Sequence, residues 1–479
     1  MMKVFMFLVL GVVYGRTYHR NPLRSMFPKT IPPVRFDGVG PGSPLFLTPY
    51  LEKGMADKAR MLSEVGPLTI GGQVVANNGN AGYLTVDKTY NSNMFFWFYP
   101  ALVNSLDAPV LLWLQGGPGG PSVFGMFNEN GPFYVDEDMN LQPRKYGWTN
   151  KYNMLYIDNP VGCGFSFTGS DGGYSTNQTA VADNLYRALT QFFQIFSAYK
   201  NNPFYITGES YAGKYVPAIA YRIYKETQPK VPINLKGMAI GDGLCDPETM
   251  LPQYGDFMFN TGLLDENQRD YFNKQTALGV QYIKQGKWVS AFNIFDILLN
   301  GDTIPYPSFF TNATGSTDYY NFLRTQSPPE FNFYSSFLQQ TSIRSKIHVG
   351  NLTFHAGDKV EHFLLEDVMK SVKPWISELL DSGLKSLFYS GQLDVIIAVP
   401  LTEAFLQTVD WQWAPDYKTT GRLVWKIQQS DIDVAGYVRQ VNNLYQVIVR
   451  GGGHILPYDQ PARTFDMIDR FINDKAFHK

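Results

Sequence analysis

Hydrophobic positions change their spacing several times along this chain, and each change predicts a different element. An apolar block, Val4-Phe5-Met6-Phe7-Leu8-Val9-Leu10-Gly11-Val12-Val13, follows Lys3 and ends near Tyr14-Gly15. Residues 16–80 are rich in Pro and Gly and lack a clear period, as a wrapping arm or pro-segment would. Gly82-Tyr83-Leu84-Thr85-Val86 and Met94-Phe95-Phe96-Trp97-Phe98-Tyr99 are β-rich runs around a polar turn at 87–93, which predicts a hairpin. From Pro109 the pattern becomes an alternation of strand and helix. Val110-Leu111-Leu112-Trp113-Leu114 and Met154-Leu155-Tyr156-Ile157 are continuous apolar runs, the mark of strands covered on both faces. Over 180–198, Leu185, Leu189, Phe192, Phe193 and Phe196 recur at helical spacing. Strand runs at 203–207 and 235–240 complete a parallel sheet with crossover helices, in which sites gather at the carboxyl ends of strands.

Between about 246 and 375 the pattern shifts to helical patches (267–284, 288–299, 360–369) and prolines, without a strong buried strand. This stretch reads as an insertion over the sheet, a lid or cap. The α/β alternation returns at Ser386-Leu387-Phe388-Tyr389-Ser390, continues through runs at 424–427, 435–438 and 445–449, and closes with a helix at 462–472. There is no internal repeat. The expected organisation is a signal peptide at 1–15, an arm or pro-segment at 16–80, a core in two parts at 81–245 and 376–479, and the insertion at 246–375.

The N-terminal block has the charged start, short apolar run and small residue of a cleaved secretory signal, and it is too short to span a bilayer comfortably. No later stretch reads as a membrane helix. Sequons at Asn177, Asn312 and Asn351 agree with the secretory route, ending in the lysosome or in secretion. The last four residues are not a KDEL-type retention signal. With 479 residues, 44% hydrophobic and 15% aromatic, the chain can bury a large core. A net charge of -2 offers no basic field, so nucleic acid is not an expected partner.

The candidate chemistry centres on Gly208-Glu209-Ser210-Tyr211-Ala212-Gly213. Strand, tight turn with a serine between glycines, then helix is the context of a nucleophile elbow, where glycines relieve crowding around a strained turn. The helix start supplies N–H groups and a positive dipole end beside a developing oxyanion. On such a scaffold the acid and then the histidine follow in chain order. Of six histidines, His454 follows the strand ending at Val449, after three glycines that allow a sharp turn. Asp394 follows the strand ending at Ser390; its role would be to fix the His454 tautomer and stabilise the imidazolium. His348, His355 and His362 recur at seven-residue steps, which do not give the i, i+3 or i+4 pair that suits a zinc ion on a helix. They read as surface or lid histidines, and neither metal nor cofactor is expected.

Gln115-Gly116-Gly117-Pro118-Gly119-Gly120 follows the first buried strand, where an oxyanion loop belongs. Gly117 N–H and Tyr211 N–H, next after Ser210, are the expected donors. Glu209 immediately precedes the serine. If Glu129 folds back beside it, two carboxyls share one small site.

Taken together, Trp113-Leu114-Gln115-Gly116-Gly117-Pro118-Gly119, Asp158-Asn159-Pro160-Val161-Gly162, Gly208 to Gly213, Gly241-Asp242-Gly243, Ser390-Gly391-Gln392-Leu393-Asp394 and Gly453-His454 resemble the serine carboxypeptidase family over nearly the whole mature length. The likeness is greatest to its vitellogenic-like branch. The resemblance implies an α/β-hydrolase fold, peptide substrates with a free C-terminus, and Ser210, Asp394 and His454 as a triad. It implies that Gln115, Gly116, Glu129 and Glu209 hold the terminal carboxylate, and it makes a homodimer an option. Two close, desolvated carboxyls cannot both ionise at modest cost, so one is protonated and can donate to that carboxylate. Activity is then expected to fall toward neutral pH, chiefly through KM.

Three departures stand against the family pattern: Gln115 for Asn, Gly120-Pro121-Ser122 for Cys-Ser-Ser, and an insertion without cysteine. Pro121 removes an N–H, and the missing cysteines imply a looser lid. The two cysteines, Cys163 and Cys245, each follow a predicted parallel strand. In an oxidising compartment a disulfide between them is one option, two free buried thiols the other. Two other readings stay open: acyl transfer or esterase activity on the same triad, and a binding protein on a weakened hydrolase scaffold.

Overall fold

The computed structural model describes residues 27, 28 and 30–477. The expected signal peptide at 1–15 lies outside the described residues. Eleven strands form one sheet. In chain order they are β1 (Glu64–Ile70), β2 (Gln73–Asp87), β3 (Ser92–Tyr99), β4 (Val110–Leu114), β5 (Asn153–Ile157), β6 (Phe204–Glu209), β7 (Leu235–Gly241), β8 (Lys385–Gly391), β9 (Leu423–Trp425), β10 (Gly436–Val441) and β11 (Leu444–Val449). Across the sheet they run β1-β2-β3-β5-β4-β6-β7-β8-β11-β10-β9. The middle of the sheet, from β5 to β11, is parallel throughout, and antiparallel strands flank it on both sides. Helices cover both faces, and this is the α/β-hydrolase architecture.

Full burial explains why the central strands read as unbroken apolar runs: every residue of β4, β5 and β6 is buried. Helix α1 (Gln178–Ile195) turns Val181, Leu185, Leu189 and Phe192 onto one face, and Asn177 caps its start by accepting from Ala180 N at 2.9 Å. Helix α2 (Ala212–Tyr224) leaves the end of β6, and α3 (Pro461–Ile472) packs Met467, Ile468 and Phe471 beneath the far strands.

Some boundaries differ from the sequence pattern. The stretch at 64–80 is not featureless. It forms β1 and the first half of β2, paired antiparallel with register shifts, so the strand runs through residue 80. The alternation was hidden because exposed Gln73, Val74 and Asn78 break up the buried positions Val75, Ala76 and Asn80 at an irregular edge. The helix read over 288–299 ends at Phe295 and continues as a π turn, Asp296–Asn300. The insertion also carries a two-residue strand, His355–Ala356, paired with Cys163–Gly164.

Candidate active site

Ser210 sits between β6 and α2 with φ of 63°, the left-handed region that strains a residue bearing a Cβ. Two neighbouring turns hold it there: Ser210 N donates to Gly241 O at 3.0 Å, and Leu244 N donates to Ser210 O at 3.0 Å. The glycines matter for space, with one correction to the expected symmetry. A Cβ on Gly208 would lie 2.5 Å from Leu114 O, and one on Gly213 would lie 2.6 Å from Leu244 N. Two residues after Ser210 stands Ala212, whose methyl is accommodated because the second close approach falls one residue later.

Asp394 and His454 come from loops after β8 and β11 that interlock. Gln392 N donates to Val449 O at 3.1 Å and Leu393 N to Gly452 O at 2.7 Å, while a Cβ on Gly391 would lie 2.0 Å from Gly453 O. Gly451 makes the turn, with φ of 69°. His454 Nδ1 lies 2.7 Å from Asp394 Oδ2, and both side chains are fully buried. Asp394 Oδ1 accepts from Ile397 N at 3.2 Å. The other ring nitrogen, His454 Nε2, has no hydrogen-bond partner among the described residues. Burial disfavours the imidazolium, but the Asp394 carboxylate outweighs it and holds the His454 pKa above its ordinary value.

An open cleft meets this site, lined by Gly117, Ser210 and Tyr211 from the core and by Phe292, Tyr319 and Tyr320 from the insertion. Gly116 presses on the nucleophile: a Cβ there would lie 2.6 Å from both Ser210 Cβ and Tyr211 N. The backbone of the 115–117 loop and the first N–H groups of α2 therefore share one corner with Ser210.

Behind that corner the carboxyl pair expected from the sequence is present. Trp113 Nε1 donates to Gln115 Oε1 at 2.9 Å, which fixes the amide so that Gln115 Nε2 donates to Glu209 Oε1 at 2.6 Å. Glu129 reaches the same place from the π turn Met126–Asn130. Glu129 is 1% and Glu209 0% exposed. Burial and then the neighbouring Glu209 charge push Glu129 well above the usual carboxylate range, and a hydrogen bond between the two favours its protonated form. Burial likewise raises Glu209, to about 7. At least one of the pair carries a proton in acid solution.

The remaining sequence candidates fall as follows. Cys163 and Cys245 are both buried and both free, so the disulfide option is not realised. Cys245 Sγ is directed at Gly213 O, 3.3 Å away in α2, while Cys163 is fixed in its strand opposite Ala356. Asn177, Asn312 and Asn351 are all exposed. His348 contacts Glu64 O through Nε2 at 3.1 Å, His355 lies in the two-residue strand and His362 is exposed, three separate settings with no shared centre. Three contributors had no assigned role in the sequence. Tyr320, from the insertion, accepts from His454 N at 2.6 Å and lays its ring 5.3 Å from the imidazole. Asp242 approaches Asp394 and His454. Phe27 fills the space beside Gly120, where a Cβ would lie 2.3 Å from its ring. The Gly241-Asp242-Gly243 motif pointed at the second; nothing local pointed at the other two.

Comparison with known proteins places this geometry among relatives. The family model described as serine carboxypeptidase matches residues 70–474. The human protein named "Probable serine carboxypeptidase CPVL" is 52% identical over 455 residues, covering 95% of this chain and 94% of its own. The vitellogenic carboxypeptidase of Aedes aegypti is 42% identical over 437 residues, covering 90% of each chain. Among solved structures, the prohormone-processing carboxypeptidase Kex1 of Saccharomyces cerevisiae superposes with a TM-score of 0.72 at 23% identity, covering 84% of this chain and 92% of that one.

Proposed function

The chain belongs to the serine carboxypeptidase family and is a serine-type hydrolase of peptides, and from that premise we propose that Ser210, His454 and Asp394 carry its chemistry. Ser210 Oγ attacks the last peptide carbonyl while His454 Nε2 takes its proton; the imidazolium is stabilised by Asp394 on its other nitrogen. Gly117 N–H and Tyr211 N–H receive the oxyanion. The leaving amine takes the proton from His454, and water, activated by the same imidazole, resolves the acyl-enzyme. The observation that carries this reading is the buried 2.7 Å pair of His454 and Asp394, whose imidazole packs against Tyr320, a residue that lines one cleft with the strained Ser210.

Exopeptidase selection comes from the pocket behind the nucleophile. Gln115, Gly116 and the protonated member of the Glu129–Glu209 pair donate to the substrate's terminal carboxylate; once both carboxyls ionise, they repel it. The working range has two limits. His454 must be neutral to act as base, so kcat falls on acidification, while KM rises as Glu129 and Glu209 ionise. Protonation of Glu209 removes one of the charges that raise His454, so the imidazole is a weaker base in the substrate-binding state than in the empty one. Above these carboxyl pKa values activity is expected to fall toward neutral pH, chiefly through KM.

Transit through the secretory pathway, to lysosome or exterior, is supported by the apolar N-terminal block and by the exposure of all three sequon asparagines. Among the described residues no helix is long and apolar enough to cross a membrane.

The test is hydrolysis of a blocked dipeptide and of its C-terminal amide from about pH 4 to about pH 8, with Ser210→Ala as control. Acid-favoured cleavage of the free acid, abolished in the variant, is the expected result. Cleavage of the amide or an ester alone moves the function toward esterase or acyltransferase chemistry. Failure to turn over any substrate, with folded protein, favours a binding role.

A further inference from the structure

Asp242, in the Gly241-Asp242-Gly243 turn after β7, is a buried carboxyl that the reaction above does not use. It is 1% exposed, and one donor atom each from Asp242, Asp394 and His454 lie within 4.8 Å of one another. The turn aims it there. Asp242 has φ of 41°, and its N–H donates to Tyr389 O at 2.8 Å, across the neighbouring strand. Asp242 Oδ1 accepts from Gly391 N at 2.8 Å, at the start of the loop that carries Asp394. Asp242 Oδ2 finds no donor among the described residues. Asp394 meanwhile accepts from His454 Nδ1 and Ile397 N, one on each oxygen.

Two ionised carboxylates this close in a dry site repel each other, with no counter-charge other than the imidazole. The titratable groups around Asp242 are Asp394, Glu209, His454 and the Tyr389 hydroxyl, and of these only His454 can be cationic. Burial and then the Asp394 charge push Asp242 well above the carboxylate range, and a side-chain hydrogen bond with Asp394 adds to this, against the pull of Gly391 N–H. A proton between the two carboxyls satisfies both: Asp242 becomes the donor, and Asp394 gains a third partner.

We propose that Asp242 is a positioning residue for the reaction: it keeps its proton in the working enzyme and donates it to Asp394, so that a single oriented anion stands behind His454. The proposal rests on the triad assigned above. Asp242 touches neither substrate nor the reacting atoms. Its effect is to hold the Asp394 carboxylate in the plane that meets His454 Nδ1 and to keep a second negative charge out of the pocket.

The experiment compares Asp242→Asn and Asp242→Ala with the unsubstituted enzyme, through pH profiles of kcat and kcat/KM on the blocked dipeptide. Folded fraction is checked by circular dichroism and thermal melting. Asn preserves a neutral donor, so Asp242→Asn is expected to keep kcat within about threefold and to leave the acid limb within about 0.3 pH unit. Ala removes the donor, so Asp242→Ala is expected to lose roughly ten- to hundredfold in kcat with KM changed less than about twofold. An acid limb displaced downward by about one unit in Asp242→Asn would mean that an ionised Asp242 had been raising His454, and the proposal fails. It fails as well if Asp242→Ala matches the unsubstituted enzyme. An active Ser210→Ala would instead remove the triad and this proposal together, so the two failures are distinguishable. Should neither Asp242 variant fold, the low-field Nδ1–H proton resonance of His454 in the unsubstituted enzyme decides the matter. Inflections from His454 itself and from the coupled Glu209 are expected between about pH 4 and about pH 8, and a further one, which Asp242 would supply, overturns it.

Discussion

Glu129 and Glu209 show how two residues of one kind acquire different duties from position alone. Glu209 is tied to Gln115 Nε2 at 2.6 Å, whereas neither oxygen of Glu129 meets a donor among the described residues apart from the proton the pair shares. In the proposed clamp Glu129 is the proton holder and Glu209 the acceptor. Glu129→Gln keeps a neutral donor but cannot ionise, so the rise in KM toward neutral pH is expected to become shallower. A lost charge-assisted hydrogen bond corresponds to about 1.5–3 kcal/mol, or roughly ten- to a hundredfold in KM at the alkaline end of the profile. A KM profile of unchanged steepness in this variant would exclude Glu129 from the clamp. Ser210, Asp394 and His454 were legible as residues because order, flanking strands and glycines are local signals. The pairing of Glu129 with Glu209 was readable only as a condition, since the two stand eighty positions apart and the chain between them must first fold back, which sets no local pattern.

At the scale of elements, α2 does more than start at the nucleophile. Lys214, one turn into it, is fully buried and donates to the carbonyls of Asp367 and of Lys370, the latter at 2.6 Å. Burial lowers its pKa to about 8. It thereby fastens the end of the insertion to the helix that carries Ser210, in a chain whose insertion has no disulfide to do so. Lys214→Met leaves the Lys370 carbonyl without its Nζ donor and the Asp367 carbonyl with only Lys370 N, at 3.0 Å, and is expected to destabilise by about 1–3 kcal/mol, with faster proteolysis near 365–372. Urea denaturation and limited digestion check both, and an unchanged midpoint would contradict the fastening role. The departure at Gly120 has a similar cause. Phe27 packs edge-on to Phe124 at 5.2 Å and occupies the volume that a side chain at 120 would need. Gly120→Cys, which restores the usual family residue, is expected to destabilise by about 1–3 kcal/mol through overpacking. A neutral result by thermal melting would mean that Phe27 moves aside freely.

At the scale of the molecule, the buried acids couple activity to stability. Burial raises Asp158 from its ordinary 3.8 to about 7 and Glu209 from 4.5 to about 7, and it raises Glu129 and Asp242 as well. Between the ordinary and the raised values the folded chain binds more protons than the unfolded chain, so stability falls as pH rises through that interval. His454 acts in the same direction: its folded pKa is raised, so the stability it adds below the unfolded value is lost as pH rises through the folded one. The melting temperature is expected to be lower at about pH 7.5 than at about pH 5, by roughly 3 °C or more. A flat or rising profile across that range would show that these groups ionise in the folded protein near their ordinary values. The proposed acid preference would then extend from substrate binding to the stability of the fold.

The sequence by itself determined what depends on neighbours along the chain. The parallel strands, α1 and α3 are set by burial on one or both faces, the elbow by a strand, a tight turn and a helix in succession, and the order of serine, acid and histidine by the order of strands. Tertiary structure decided what depends on distance through space. It separated Cys163 from Cys245, paired β1 with the first half of β2 at an irregular edge, set Tyr320 against His454 and gathered Asp242 beside Asp394. The physical reason is the same in each case. Secondary structure follows from periodic burial that a short window of residues already expresses, whereas protonation, thiol pairing and side-chain contact depend on which groups share a dry pocket, and only the folded chain creates that pocket.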